Sequence, residues 1–236
     1  MMDTRSGFID AARHGLSAFA LAPLNIDPGL NQIQVPGGSL QLECYTADGV
    51  EKIVLCTIVI EATSVVESSV LVWPAAGYDL PVLWCNLTRV PQVMTVAIVD
   101  VLPVMDPVLW PERAMAAVEG VRALRTHALA RLGETVVDPA VMLPSRALYA
   151  LSPYHLCVDL TDAGLSRLTT VVDDYLRAYH ALWQQASRLA DPLERDHSVR
   201  RGRAIRALMK ANDPGFPFMV KVFGEETTRR IFDAVF

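Results

Sequence analysis

The feature that most constrains the fold is a series of β-branched segments separated by short turns. The segments are Leu40–Tyr45, Lys52–Ile60, Val65–Trp73, Leu80–Leu87 and Val93–Leu102. Glycine, proline and small polar residues mark the turns between them, as at Asp48-Gly49 and Ala76-Gly77. A parallel crossover needs about a dozen residues or more, so connections this short predict antiparallel neighbours. We therefore expect a β-meander.

Helical patterns lie on both sides of this block. One is predicted before it, over Ser6–Leu21, and four after it, over Glu112–Arg131, Ala163–Leu189, Arg195–Ala211 and Glu225–Val235, with a strand-like run at Leu148–Val158. A sheet whose two faces are both apolar is buried only between two layers of helices. The sequence predicts an α/β fold, a three-layer α/β/α sandwich with a central antiparallel sheet, in one domain over residues 1–236.

Hydrophobic residues make up 52% of the 236 residues, so a membrane protein has to be considered. The most apolar stretches, Ile53–Ile60 and Val93–Val104, are short or interrupted by Asp100. A spanning helix needs roughly 18 to 20 apolar residues, and no run approaches that length. The first residues include acids and lack the basic-then-apolar order of a secretion signal. We expect a soluble, cytoplasmic protein that does not bind membranes.

The sequence lacks the usual signatures of metal and nucleotide sites. Its histidines have no metal-ligand spacing, and no glycine-rich phosphate loop is present, since Gly37-Gly38 after Pro36 is typical of a turn. The cysteines contain no C-x-x-C pair, which favours buried free thiols; they are Cys44, Cys56, Cys85 and Cys157. We expect no resident metal, flavin or nucleotide.

The charge is negative overall but uneven. A net charge of −5 argues against nucleic-acid binding. Within the acid-free stretch 200–210 lie five cations, Arg200, Arg201, Arg203, Arg206 and Lys210. Such a run is typical of a solvated helix face, and the alternative is a docking surface for an acidic partner or for carboxylates.

Several short motifs are unlike ordinary core sequence. They are Tyr78-Asp79-Leu80-Pro81-Val82-Leu83, Asp100-Val101-Leu102-Pro103, Ser152-Pro153-Tyr154, Asn212-Asp213-Pro214 and Phe223-Gly224-Glu225-Glu226. Their order and spacing resemble those of the ferredoxin-dependent bilin reductases, over the chain from about Leu40 to its end. Each fragment alone is weakly specific, whereas the ordered set together with a matching sandwich is fairly specific.

The resemblance implies reduction of a linear tetrapyrrole such as biliverdin, with electrons supplied singly by reduced ferredoxin. It implies that the protein has no tightly bound cofactor and that side chains donate the protons. Asp213 matches the family's C-terminal-loop aspartate, which is associated with protonation near the A-ring. The alternative for Asp213 is a plain Asn-Asp-Pro helix stop. We expect the protein to act as a monomer.

The sequence departs from the phycocyanobilin-forming members at three positions, one of which is their strand glutamate, which falls near Cys56 or Thr57 here. Asn86 stands where they carry an aspartate, and Ser69 where they carry a histidine, while members that form phytochromobilin look closer around Asn86. An asparagine forms hydrogen bonds to a pigment but does not deliver a proton as a carboxylic acid does. This favours a two-electron A-ring reduction over a four-electron route. Glu61 and Glu67 are candidate replacement donors, and the alternative is that each is exposed at a hairpin.

The pigment's propionates imply cations and polar partners in the site. Asn212, Lys210, Arg146 and Lys221 are the candidate substrate-binding residues, alongside Asp213, Asn86, Ser69 and Glu67 as candidate catalytic residues. Arg203 and Arg206 are further candidates for the propionates. The default for each cation is solvated surface.

Two other functions stay open at this point. One is a bilin-binding or carrier protein without reductase activity, which the residues at positions 69 and 86 suggest. The other is a reductase of an open-chain chlorophyll catabolite.

Overall fold

A computed structural model describes residues 4–133, 135–141, 143, 148 and 150–236. Within them nine antiparallel strands form one sheet. The strands are β1 Ala22–Pro23, β2 Gln32–Val35, β3 Gly38–Ala47, β4 Val50–Ile60, β5 Val65–Pro74, β6 Val82–Val90, β7 Met94–Leu102, β8 Thr135–Val136 and β9 Leu156–Asp159. Their order is β1-β3-β4-β5-β6-β7-β9-β8, and β2 also pairs with β3. The predicted meander is confirmed as β3 to β7.

Each long strand presents apolar side chains to both faces of the sheet. In β4, Ile53 and Leu55 belong to one buried cluster, whereas Val54 and Cys56 belong to the other. Successive residues of a strand point to opposite faces, so a run without alternating polar residues has two faces to bury. A single helical layer cannot cover both.

Two layers of helices provide this cover. The helices are α1 Thr4–Leu16, α2 Pro111–Leu132, α3 Asp162–Gln185, α4 Pro192–Ala211, α5 Phe216–Phe223 and α6 Glu225–Val235. Helices α1, α2 and α3 pack on the first face, with Leu16, Val121 and Leu176 in its core. Helices α4, α5 and α6 pack on the second face, with Ile205, Met219 and Phe232. The predicted three-layer α/β/α sandwich is confirmed.

Local sequence signals set the helix ends. The Thr161 side chain accepts a hydrogen bond from the Gly164 N–H at the start of α3, and Asp191 does the same for Leu193 at the start of α4. Helix α2 ends at Gly133, whose φ of 63° is the left-handed conformation that glycine adopts without strain.

The chain differs from the sequence prediction in several places. Helix α1 ends at Leu16, and a short 3-10 turn, Ser17–Phe19, follows it. The predicted strand Leu148–Val158 is wrong for residues 148 and 150–155, because β9 begins only at Leu156. Before it, the backbone N–H of Ser152 donates to the Asp100 side chain instead of to a strand, at 2.8 Å. Helix α5 was not predicted, since eight mainly apolar residues with a proline in the first turn show little helical periodicity.

All four cysteines are buried free thiols, as predicted. Burial raises the pKa of each, to about 11 for Cys44 and Cys157. They therefore behave as small apolar side chains of the core. In the described part of the chain, no helix is both long enough and apolar enough to cross a membrane.

Candidate active site

A cavity with an open mouth lies between the second face of the sheet and helices α4 to α6. Its walls are mainly apolar, with Leu71 and Trp84 from the sheet and Met219 and Phe232 from the helices. A smaller set of polar side chains also lines it: Glu67, Ser69, Asn86, Asn212 and Asp213. An apolar pocket with a few convergent polar groups is typical of a small-molecule site.

Strand register brings the polar side chains of the sheet together. Ser69 of β5 lies directly opposite Asn86 of β6, and Cys56 of β4 lies opposite Ser69 on the other side. Glu67 precedes Ser69 by two residues, so both point to the same face, and its own partner on β6 is Thr88. The polar part of the cavity wall is thus two adjacent rows of one sheet.

Hydrogen bonds fix the orientation of this group. The Asn86 amide Nδ2 donates to Glu67 Oε1 at 2.9 Å and to Ser69 Oγ at 3.0 Å. The Ser69 hydroxyl donates to the same Glu67 oxygen at 3.3 Å. Thr88 Oγ1 donates to Asn86 Oδ1 at 2.9 Å, which sets the direction of the amide. Glu67 is therefore held through one oxygen, Oε1, by two neutral donors.

Asp213 reaches the cavity from the helical layer, in the connection between α4 and α5. Its Oδ1 accepts a hydrogen bond of 2.7 Å from the backbone N–H of Gly215, which holds the turn. The neighbouring Asn212 ends α4 and donates from its Nδ2 to the Leu208 carbonyl at 2.7 Å. A Cβ at position 215 would lie 3.0 Å from Asp213 Oδ1 and 3.6 Å from Glu67 Oε2. Both carboxyl groups therefore lie close to Gly215.

Burial controls the protonation of both acids. It raises the pKa of Glu67 to about 7, and the negative charge of Asp213 acts in the same direction, against the hydrogen bonds from Asn86 and Ser69. Burial also raises the pKa of Asp213, against the hydrogen bond from Gly215. A carboxylic acid kept protonated near neutral pH is a suitable proton donor. The chemistry that this cavity supports is protonation of a bound molecule.

Asp100 is a buried acid of a different kind. It lies on β7, 1% exposed, and its carboxylate accepts hydrogen bonds from the Ser152 N–H and hydroxyl and from the Val101 N–H. These donors oppose the rise in pKa that burial causes. Asp100 joins the chain after residue 150 to the sheet and does not line the cavity. Two of the sequence motifs, at Asp100 and at Ser152, therefore meet in one structural contact.

The two candidate proton donors of the sheet, Glu61 and Glu67, lie in different surroundings. Glu61 is exposed in the 3-10 turn of the β4–β5 hairpin, which matches the alternative stated for it. Glu67 lies in the cavity wall, so for this residue the exposed-hairpin alternative is wrong. Asn86 and Ser69 are buried beside it.

The candidate cations lie away from the polar wall. Lys210 forms an ion pair with Asp233, and the Lys221 ammonium lies 5.8 Å from the centre of the Phe218 ring. Neither lines the cavity, and no lysine or arginine among the described residues does. Arg146 lies outside the described residues.

The basic run on α4 is largely neutralised by acids from other parts of the chain and from its own helix. Arg200 pairs with Asp196, Arg201 with Asp106, Arg206 with Glu51 and Lys210 with Asp233. Arg206 also stacks over the Trp73 ring, 4.8 Å from its centre. Of the five cations, only Arg203 has no ion pair with a described residue. The run 200–210 contains no acid, so the sequence alone did not indicate that acids from outside the run pair with its cations.

Sequence reasoning missed Thr88 and Gly215. Thr88 carries a usable signal, since it follows Asn86 by two residues and shares its strand face. Gly215 reads as part of the helix stop, and its position between two acids depends on a long-range contact that no local pattern shows.

Comparisons with known proteins give the family. The model of the family described as ferredoxin-dependent bilin reductase matches residues 9–236. The fold is similar to that of a selenomethionine crystal structure of phytochromobilin synthase from tomato in complex with biliverdin. The TM-score is 0.76 at 16% sequence identity, and the similarity covers 95% of this chain and 79% of that one. A comparison with curated protein sequences gave no match. Since the family model extends over nearly the whole sequence, the chain belongs to the ferredoxin-dependent bilin reductases.

Proposed function

We propose that this protein reduces biliverdin, taking electrons one at a time from reduced ferredoxin and protons from acids in the cavity. The observation that carries the proposal is the pair of half-buried carboxyl groups, Glu67 and Asp213, that line one mainly apolar cavity. Family membership supplies the substrate class and the electron donor. The protein binds no cofactor tightly, because the electrons arrive from ferredoxin.

The reaction proceeds by paired additions. One electron from the iron–sulfur protein forms a pigment radical, and a proton from a carboxyl group is added to it, so that an O–H bond breaks as a new bond to the pigment forms. A second electron and a second proton complete a two-electron reduction. A dry cavity favours this chemistry, since it limits side reactions of the radical and strengthens each electrostatic contact.

The A-ring is the proposed position of reduction. In this proposal Asp213 corresponds to the C-terminal-loop aspartate of the family, and Asn86 stands where the phycocyanobilin-forming members carry an aspartate. The Asn86 amide is engaged with Glu67 and Ser69, and it does not act as an acid. A two-electron reduction near Asp213 requires fewer donors than a four-electron reduction.

The pigment's two negatively charged propionates require cations as partners. Arg146, Lys210 and Lys221 are the proposed partners on sequence grounds, and Asn212 is the proposed polar contact from the cavity wall. Ferredoxin is proposed to dock near α4, where the exposed ion pairs of the basic run, such as Arg200 with Asp196, are weak enough to exchange partners.

Anaerobic incubation with biliverdin, ferredoxin and a reducing system tests this function. Mixing alone should shift the absorption spectrum of biliverdin, and reduction should then convert the pigment to a dihydro product separable by chromatography. Omission of ferredoxin is the control. A shifted spectrum that does not change further under reduction would overturn the reductase function in favour of a carrier. Competition by an open-chain chlorophyll catabolite tests the choice of pigment.

A further inference from the structure

Glu67 is a half-buried acid of the cavity wall that the family pattern does not account for. It stands on β5, two residues before Ser69, at a position that none of the family motifs in this sequence includes. Its side chain is nevertheless built into the cavity wall, with two donors on one oxygen. Its other oxygen, Oε2, has no hydrogen-bond donor among the described residues.

The free oxygen of Glu67 faces the second acid. A Cβ at position 215 would be 3.6 Å from Glu67 Oε2 and 3.0 Å from Asp213 Oδ1, so both oxygens lie close to Gly215. Among the described residues, the other groups near Glu67 are from the sheet: Ser69 and Asn86, Thr88 opposite it on β6, and the thiol of Cys56 on β4. No lysine, arginine or histidine among the described lining residues supplies a compensating positive charge.

Two carboxyl groups in one apolar cavity do not ionise independently. The first proton lost leaves a negative charge that opposes loss of the second, as in other carboxylate pairs that share a site. Among the described residues, the hydrogen bonds to Glu67 come from an amide and a hydroxyl, which are weaker partners for a carboxylate than a charged donor. The site therefore favours a state with one proton on the pair.

We propose that Glu67 and Asp213 hold one proton between them and that Glu67 is a second proton donor to the bound tetrapyrrole. Asn86 is a positioning residue, because it holds Glu67 Oε1 and leaves Oε2 directed at the cavity. The donor on the sheet is thus displaced from position 86 to position 67. The part of this inference that concerns catalysis rests on the proposed function, whereas the shared proton does not.

The proton balance follows from this arrangement. In a two-electron reduction the pigment gains two electrons from the iron–sulfur protein and two protons. The first proton is the one that the pair already holds, and its transfer leaves two carboxylates. The second enters from water at the open mouth of the cavity and passes through the same pair. The pair is then protonated again from water before the next turnover.

Infrared spectroscopy of the protein without pigment tests the shared proton directly. The wild type should show a carbonyl band of a protonated carboxyl group that disappears as the pH rises through about 7. Glu67→Gln should remove that titrating band, and Glu61→Gln, at the exposed tip of the same hairpin, should retain it. An unchanged band in Glu67→Gln would overturn the shared proton, whatever the enzyme does with biliverdin.

Single-turnover reduction tests the donor role. Glu67→Gln should bind biliverdin with unchanged affinity and slow protonation of the radical by about 10²-fold or more. The wild-type rate should fall as the pH rises through about 7, and the variant should lose this dependence. Wild-type rates and pH profile in Glu67→Gln would overturn the role. If the wild type itself does not reduce biliverdin, the proposed function fails, and the infrared result still decides the shared proton.

Discussion

The two faces of the sheet use the same strands for opposite purposes. On the face covered by α1 to α3, the core is mainly apolar, although it includes the buried Ser68 and tyrosine hydroxyls, and Tyr179 donates its hydroxyl to the Pro81 carbonyl at 2.7 Å. On the face covered by α4 to α6, buried polar side chains surround a cavity. Alternation along each strand makes this division possible, since neighbouring residues serve different layers. The first face therefore forms a packed core, whereas the second face carries the candidate active site.

The contrast is sharpest within β5. Val70 and Val72 face the dry layer, whereas Glu67, Ser69 and Leu71 line the cavity. A polar group without full hydrogen bonding lowers stability wherever it is buried. The cavity face carries Glu67 and Asp213 beside an open cavity, whereas the opposite face is closely packed and holds the Tyr175 hydroxyl without a hydrogen-bond partner among the described residues.

The largest effect is expected for Asp213→Asn on the cavity face. The variant can still accept the hydrogen bond from Gly215, so the turn and pigment binding should persist. Reduction should fall by about 10²- to 10⁴-fold, because the amide is not an acid. Anaerobic stopped-flow spectroscopy should show a radical that accumulates. The exposed Asp233→Asn, which breaks only a surface ion pair, is the matched control, and full turnover by Asp213→Asn would remove Asp213 from the mechanism.

On the dry face, Leu176→Ala should change stability and leave the chemistry intact. Leu176 is fully buried and packs closely against Gly15 of α1. The cavity created should lower the free energy of unfolding by about 2–5 kcal/mol, measured by urea denaturation. Leu193→Ala, at an exposed position, should change it by less than about 0.5 kcal/mol. A loss of pigment affinity in folded Leu176→Ala protein would contradict the separation of the two faces.

The free energy of unfolding should depend on pH because the pKa of Glu67, on the cavity face, is raised in the folded protein. The pKa of Glu67 is about 7 in the folded protein and ordinarily 4.5, so the folded state retains a proton that the unfolded chain loses between these values. The contribution of Glu67 to stability is complete below about pH 4.5 and is lost as the pH rises through about 7.

Glu67→Gln mimics the protonated acid and should therefore be more stable than the wild type at pH 8, by about 1–3 kcal/mol. At pH 4 the two proteins should be nearly equal. Thermal or urea unfolding across this range provides the measurement. Equal stability of the two proteins at pH 8 would show that Glu67 is already ionised there at no cost.

The smallest effect on rate, but a change in product, is expected for Asn86→Asp. The substitution restores an acid beside Glu67 and removes the Nδ2 donor that holds it. The rate should change by only several-fold, while the reduction should occur at a different ring or proceed further. Chromatography of the products gives the answer. An identical product profile would show that position 86 does not set the regiochemistry.

The sequence predicted the sandwich because β-branched runs and helical periodicity are local signals. The β-meander and α6 follow from them directly. The site was only partly predictable. Asp213 and Asn86 stand in recognisable motifs, and the period of two places Glu67 on the same face as Ser69. The approach of Glu67 to Asp213 depends on how the α4–α5 connection lies over the sheet, which is a long-range packing result. Lys210 shows the limit of nearness in sequence. It adjoins the loop of Asp213 in the sequence, whereas in the structure its ammonium forms an ion pair with Asp233.

Position 215 is a glycine, and its lack of a side chain affects how the site of this enzyme can change in evolution. The backbone there has a φ of −73°, which every amino acid adopts, so conformation does not demand glycine. A methyl group there would lie 3.0 Å from Asp213 Oδ1 and 3.6 Å from Glu67 Oε2, so it would crowd the space beside both acids. A substitution at position 215 would therefore alter the surroundings of both acids at once, and the protonation of the pigment would be open to evolutionary change at that one site.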